Sequence, residues 1–276
     1  MKKISAMMLA LLMAMTLIAC GEKAPVDDEG EAGNEKTTLV MGTSADYAPY
    51  EFMYPDASGN MVYGGIDISV AQAIADSMEM ELEVQNMNFD FLLNNLQQGK
   101  CDMVLAAIEV TPDRLESADF SDPYYTDLPK MIVVPADQAA AYKTLKDFGG
   151  KLVGAQTATT NVDIVNNDME GAQLNSQTAV TDMFNMLANG KLDAVVVDGA
   201  IAMQYVENNK TLAIADASSE LGEALPYCVA VAKGDPQGLL EGINAAIADM
   251  VANKKVEQFI ADADALADKA VEVAGQ

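Results

Sequence analysis

Histidine and tryptophan are absent from the 276-residue chain. Without His, the commonest general base and the commonest transition-metal ligand are missing. That argues against zinc enzymes and His-dependent hydrolases while leaving carboxylate chemistry open; no metal or cofactor is expected. Without Trp, stacking on a ligand must rest on Tyr and Phe. Basic residues are scarce, with 16 Lys and Arg against 42 Asp and Glu. Such a surface repels phosphate backbones and anionic headgroups, so no nucleic-acid partner is expected. The acidity otherwise reads as solubility. No Walker motif is present.

Half of the residues are apolar, which excludes global disorder, and the length suits one large domain or two lobes of roughly 100 residues each. Lys2 and Lys3 precede an apolar run from Ile4 to Ile18 that is too short and wrongly flanked for a spanning helix. The run has the layout of a secretory signal over residues 1–19. Its end, Leu17-Ile18-Ala19-Cys20, resembles the bacterial lipobox, where cleavage frees a Cys that receives lipid on its sulfur. Residues 20–37 are rich in Glu, Asp, Gly and Lys without apolar periodicity and read as a flexible tether. The lipid on Cys20 is therefore the expected membrane attachment, and the fold should begin near Thr38. Of the remaining cysteines, Cys101 and Cys228 sit in or beside apolar strand-like stretches and are expected as buried free thiols.

Along the folded part, apolar strand-like runs alternate with helical patterns. Thr38–Gly42, Met103–Ile108, Met131–Val134, Lys151–Ala155, Asp193–Val197 and Tyr227–Val231 read as strands. Asp67 is placed to cap a helix whose Val70, Ala71, Ile74, Ala75 and Met78 share one face. Further helices fit Thr160–Asn167, Val180–Leu187, Ile201–Val206 and Leu239–Val251. Strands separated by helices predict an α/β protein with mostly parallel sheets.

Several segments, in order, resemble the bacterial extracellular solute-binding proteins that deliver polar amino acids to ABC importers. They are LVMGTSADYAPYEF from Leu39, GGIDISVAQAIA from Gly64, LQQGKCDMVLAAIEVTPDRLESADFSDPYY from Leu96, GGKLVGAQTATT ending at Thr160, LANGKLDAVVVD ending at Asp198, and LPYCVAVAKGD ending at Asp235. The resemblance implies a two-lobed fold of the periplasmic-binding-protein type II class with two crossover segments, near Tyr124–Pro129 and Pro226–Val229. Lobe one would hold 38–126 plus 230–276, and lobe two 129–226, closing on the ligand by hinge motion. It also implies a monomer that captures an amino acid, performs no catalysis and docks on a membrane permease.

An amino acid presents a carboxylate, an ammonium and a side chain. A planar guanidinium suits the carboxylate best, and the family places one where Arg114 stands. Thr159 and Thr160 match its turn before a lobe-two helix, although Ala158 replaces the usual Gly. Asp198, at the end of a strand, matches the ammonium partner. Tyr47 and Phe89 would flank the ligand side chain, with Phe52 and Phe91 read as core. Ala107 stands at another pocket position, where the family is frequently polar, as does Ala106. Glu109 replaces the usual Ser or Thr, and a second carboxylate beside Asp198 would leave the pocket net negative. Three readings of Glu109 stay open: it holds the ammonium, it selects a ligand with an extra positive charge, or it faces solvent. Against charge selection, Ser44 stands where basic-amino-acid binders can carry Asp. Two other functions remain on the same fold: a dehydratase of prephenate-like acids with Glu109 as proton donor, or an extracellular sensor. The tail from Ala261 to Val273 is open between a packed helix and a frayed extension.

Overall fold

The computed structural model describes residues 37–267 and 269–270. The expected signal segment 1–19, the expected lipidation site Cys20 and all but the last residue of the expected tether 20–37 lie outside the described residues, as do 268 and 271–276 of the tail.

Two five-stranded sheets organise the chain, one per lobe. The first opens with β1 (Thr38–Thr43), then sets aside a small antiparallel sheet of β2 (Asp46–Tyr47), β3 (Glu51–Pro55) and β4 (Met61–Gly64). Helix α1 (Ile66–Ser77), β5 (Glu81–Asn86), α2 (Leu92–Gln97), β6 (Met103–Val104), α3 (Pro112–Ser117) and β7 (Ala118–Thr126) follow. The second sheet takes β8 (Met131–Pro135), β9 (Leu152–Gln156), β10 (Gln173–Gln177), β11 (Ala194–Val197) and β12 (Leu212–Ile214). Among them lie α4 (Thr160–Asp163), α5 (Val180–Ala188) and α6 (Gly199–Asn208). The chain then returns to the first sheet as β13 (Pro226–Ala232) and ends in α7 (Leu239–Ala252) and α8 (Lys255–Ala267).

Strand order is β5-β1-β6-β13-β7 in one sheet and β10-β9-β11-β8-β12 in the other. The neighbours of β1 and β9 are parallel, whereas β13 and β8 run antiparallel to both of their neighbours. The expectation of mostly parallel sheets is thus corrected to mixed ones. The physical reason is the crossing itself: β8 and β13 are the strands that have just passed between lobes, and each enters its new sheet reversed. Tyr125 and Thr126 still pair with Tyr227 and Pro226. The crossing stretches outside the ladder are therefore 127–130 and 222–225, since 215–221 still bond and pack within the second lobe.

Helix α1 buries Val70, Ala71, Ile74 and Ala75, the stripe its periodicity predicts. Its cap differs from expectation. Gly65 is the N-cap, with φ 125°, and a Cβ there would stand 2.1 Å from the Tyr50 carbonyl oxygen. Only glycine fits so close a backbone approach at that φ. Asp67 falls inside the first turn, fully buried, and accepts hydrogen bonds from the Ala107 N–H and the Tyr124 hydroxyl, both at 2.7 Å. The run Met103–Ile108 is correspondingly not all strand. It leaves the ladder after Val104, and Ala107 takes φ 47° with its amide captured by Asp67. The helix expected over Thr160–Asn167 is α4 followed by a π-helical stretch, Ile164–Asp168.

Tail helix α8 packs through Val256, Ala263 and Ala267, so the tail is a packed helix as far as Ala267. Cys101 and Cys228 are buried and free, and burial pushes both thiols up to about 11. Phe52 is core, but Phe91 is 50 % exposed, which overturns its reading as core. It ends a single helical turn, Phe89–Phe91, that presents it outward.

Burial raises the Asp67 carboxyl from its ordinary 3.8 to about 6, against the hydrogen bonds it accepts. The folded state therefore holds a proton that the unfolded chain releases between those values. Stability from this group is complete below about pH 4 and falls as pH rises through 6, by up to about 3 kcal/mol. Urea unfolding at pH 4.5 and 7 should show Asp67→Asn losing that part of the decline; identical pH dependence in both proteins would contradict it.

Candidate functional site

The residues singled out in the sequence converge on one cleft between the lobes. From the first lobe come Tyr47 at the end of β2, Phe89, Ala107 and Glu109 on the loop after β6, and Arg114 in α3. From the second come Thr159 and Thr160 at the start of α4 and Asp198, the N-cap of α6 directly after β11. Ser44, Glu51, Ala106, Lys130, Gln156 and Asn161 complete the lining. The volume enclosed is about 20 Å³, room for roughly one water molecule. A larger cavity of about 570 Å³ lies by the crossing segment, lined in part by Tyr50, Asp127 and Asp264. The small cleft is the better candidate because charged groups of both signs converge there, as recognition of a small polar molecule requires.

Arg114 is positioned before it binds anything. Thr111 caps α3 by accepting from the Arg114 amide at 3.2 Å, with Pro112 at the first helical position. The guanidinium then donates Nη1 to the Glu109 carbonyl at 2.7 Å and Nη2 to the Ala158 carbonyl at 3.1 Å. Its Cζ lies 5.4 Å from the centre of the Phe89 ring. Two carbonyls and an aromatic face fix the plane of the fork, and burial lowers its pKa from the ordinary value. Ala158 takes φ 64°, the left-handed conformation a glycine would adopt freely. The turn is thus kept despite the Cβ, at a strain of about 1 kcal/mol.

The carboxylates are tightly held. The Tyr47 hydroxyl donates to Asp198 Oδ2 at 2.7 Å, and the Thr160 hydroxyl to Glu109 Oε2 at 2.5 Å. Glu109 is 4 % exposed, so its solvent-facing reading is overturned. Lys130, which the sequence reading missed, places its Nζ 2.5 Å from Asp198 Oδ1 and 3.1 Å from Glu109 Oε1. Burial opposes the charge on Lys130, but Asp198 and Glu109 outweigh it and raise its pKa. Glu109 and Asp198 thus face two cations, one more than the sequence led us to expect, while the third carboxyl of the lining, Glu51, is pushed toward its neutral form by burial. Burial, reinforced by Asp198, likewise drives the Tyr47 hydroxyl well above its ordinary value.

Glu51 was also missed, although it lies within a quoted segment. Its side chain is 1 % exposed, and burial, with Asp67 next in effect, pushes its carboxyl well up. Its Oε2 has no hydrogen-bond partner among the described residues. Nothing in the sequence distinguished Lys130 or Glu51 from surface charges; only the fold brings them inward. Among the described residues no His, Cys, Asp and Glu cluster suits a metal ion, and no helix is long and apolar enough to cross a membrane.

Comparison with known proteins agrees with this architecture. The chain is 31% identical over 265 residues to the arginine-binding extracellular protein ArtP of Bacillus subtilis (strain 168), covering 94% of this chain and 96% of that protein. It is 27% identical over 247 residues to a probable histidine-binding protein of Campylobacter jejuni, covering 90% and 93%. A crystal structure of an amino acid ABC transporter substrate-binding protein from Streptococcus pneumoniae, bound to L-arginine, superposes with a TM-score of 0.79 at 33% identity, covering 86% of this chain and 96% of that one. Residues 39–262 match the family model itself. The chain therefore belongs to the bacterial extracellular solute-binding proteins, family 3.

Proposed function

We propose that this protein is a lipid-anchored extracytoplasmic receptor that captures an amino acid in the cleft and passes it to an ABC importer's permease. The reading rests on one observation above all: a guanidinium and a pair of carboxylates meet from opposing lobes in a single small cleft. That arrangement matches the two charges every amino acid carries at neutral pH. Arg114 takes the ligand carboxylate as a bidentate donor, with the Thr160 hydroxyl and the Thr159–Thr160 turn beside it. Asp198, aided by Glu109, takes the ammonium. Tyr47 and Phe89 flank the side chain, and the small Ala107 leaves room above the cleft floor.

Lobe one comprises 38–126 plus 230–276 and lobe two 129–226, hinged at the two crossing stretches. Binding is reversible and no bond is made or broken. The chain acts as a monomer, anchored through lipid on Cys20, while the importer's ATPase lies on another chain. The relatives described above bind or are named for arginine and histidine, so a nitrogen-bearing side chain is the favoured ligand class and L-arginine the first ligand to try. None of them is a dehydratase, and Glu109 is already engaged by Lys130 and Thr160, which leaves little to favour the enzymatic alternative.

Thermal unfolding of the processed chain against a panel of L-amino acids tests the capture reading. A ligand at a hundred times its dissociation constant adds about 2.7 kcal/mol, a rise of a few degrees for a protein of this size. The rise should appear with one or a few amino acids and vanish in Arg114→Ala. No response to any amino acid, with stabilisation by a sugar or prephenate instead, would sink it. Separately, bacteria expressing the full chain and grown with labelled palmitate should incorporate the label into it, and Cys20→Ser should abolish that incorporation. Label that survives Cys20→Ser would refute the lipid anchor.

A further inference from the structure

Lys130 closes the 127–130 crossing segment, immediately before β8, and no motif in the sequence asks for a charge there. Its side chain is only 12% exposed and spans the two lobes. Nζ lies 2.5 Å from Asp198 of the second lobe and 3.1 Å from Glu109 of the first. Both carboxylates are themselves nearly buried, at 7% and 4% exposure. With the ammonium in this position the cleft keeps about 20 Å³ of free space, room for roughly one water molecule. A ligand cation and the Lys130 ammonium therefore compete for one place.

We infer that Lys130 is a tethered cation occupying the subsite between Glu109 and Asp198, so that a ligand's own positive group enters only by displacing it. The ligand named here rests on the amino-acid reading above; the bridge between lobes does not. Two consequences follow from the charges. While Lys130 stays near the cleft, Glu109 and Asp198 are balanced by Lys130 and Arg114, with the Glu51 carboxyl pushed toward its neutral form by burial, and a second positive charge on the ligand is resisted. Without that ammonium the pocket carries one net negative charge and favours such a ligand. Lys130 is thus a specificity-determining residue, setting the preference between cationic and neutral side chains of equal size. Displaced charges a few ångströms apart in a partly desolvated cleft change affinity by about tenfold or more.

L-Arginine and L-citrulline have the same shape and differ in the charge of the terminal group. Calorimetric titration of both into the wild-type protein and Lys130→Met should show the citrulline-to-arginine ratio of Kd rising at least about tenfold in the variant. Lys130→Arg, which keeps the charge, should hold the wild-type ratio. A ratio unchanged or reduced in Lys130→Met overturns the inference. Small-angle scattering without ligand supplies the second arm. Lys130→Met leaves two carboxylates facing each other across the lobes, so its radius of gyration should exceed that of wild type. Adding Glu109→Gln should bring it back. Equal radii for wild type and Lys130→Met overturn the bridge. If neither amino acid binds either protein, the choice of an arginine-like ligand has failed, and the scattering arm alone still decides the role of Lys130.

Discussion

Carboxylates taken out of water have to be matched by cations and donors, and in this chain two of them are buried side by side at the mouth of the fold. Glu109 and Asp198 come from different lobes, yet both point at the same few cubic ångströms. Leaving either unpaired in so dry a place would cost several kcal/mol. Lys130, Tyr47 and Thr160 meet that demand from within the chain. These cross-lobe contacts use the groups that, on the capture reading proposed above, a bound zwitterion would engage. On that reading closure and recognition would draw on one set of charges, which is how a hinge can be made responsive to a small polar molecule.

The scaffold delivers those groups through a few local decisions. Asp67, buried under α1, holds the Ala107 amide and so bends the chain out of β6 toward the cleft. Two residues later Glu109 faces inward, and its carbonyl anchors Arg114. Across the cleft, β11 ends at Asp198, whose backbone begins α6 while its side chain is free to face the opposite lobe. Placing polar side chains at strand ends, with a buried sheet behind them, keeps them exact in position without exposing the core.

Much of this was legible in the sequence. Continuous apolar runs marked the buried strands of both sheets, and the stripe Val70, Ala71, Ile74 and Ala75 marked α1, because burial imposes periodicity directly. Arg114, Thr160 and Asp198 stood out because each sits in a segment that resembles the family, and the fold brings all three to one cleft. Lys130 was not: its partners lie 21 positions before it and 68 after it, and a lone Lys after a Pro carries no local signal. Asp67 misled for a related reason, since a carboxylate near a helix start reads as a cap unless the fold buries it against another loop. Phe91 and the short β6 show the same limit. Apolar character favours burial, but whether one residue turns inward depends on a neighbouring turn that sequence pattern does not specify. The direction of β8 and β13 likewise follows from the two crossings and leaves no trace in hydrophobic pattern.

On the proposed capture, the cleft grips a ligand by its carboxylate through Arg114 while acidic groups take its positive end. The most direct test is calorimetric titration with L-arginine and with agmatine, its counterpart lacking only the carboxylate. The account predicts that agmatine binds at least about a hundredfold more weakly, as expected when a buried charge-assisted pair is deleted. Equal affinity for the two would contradict it, because Arg114 would then have no part in holding the ligand.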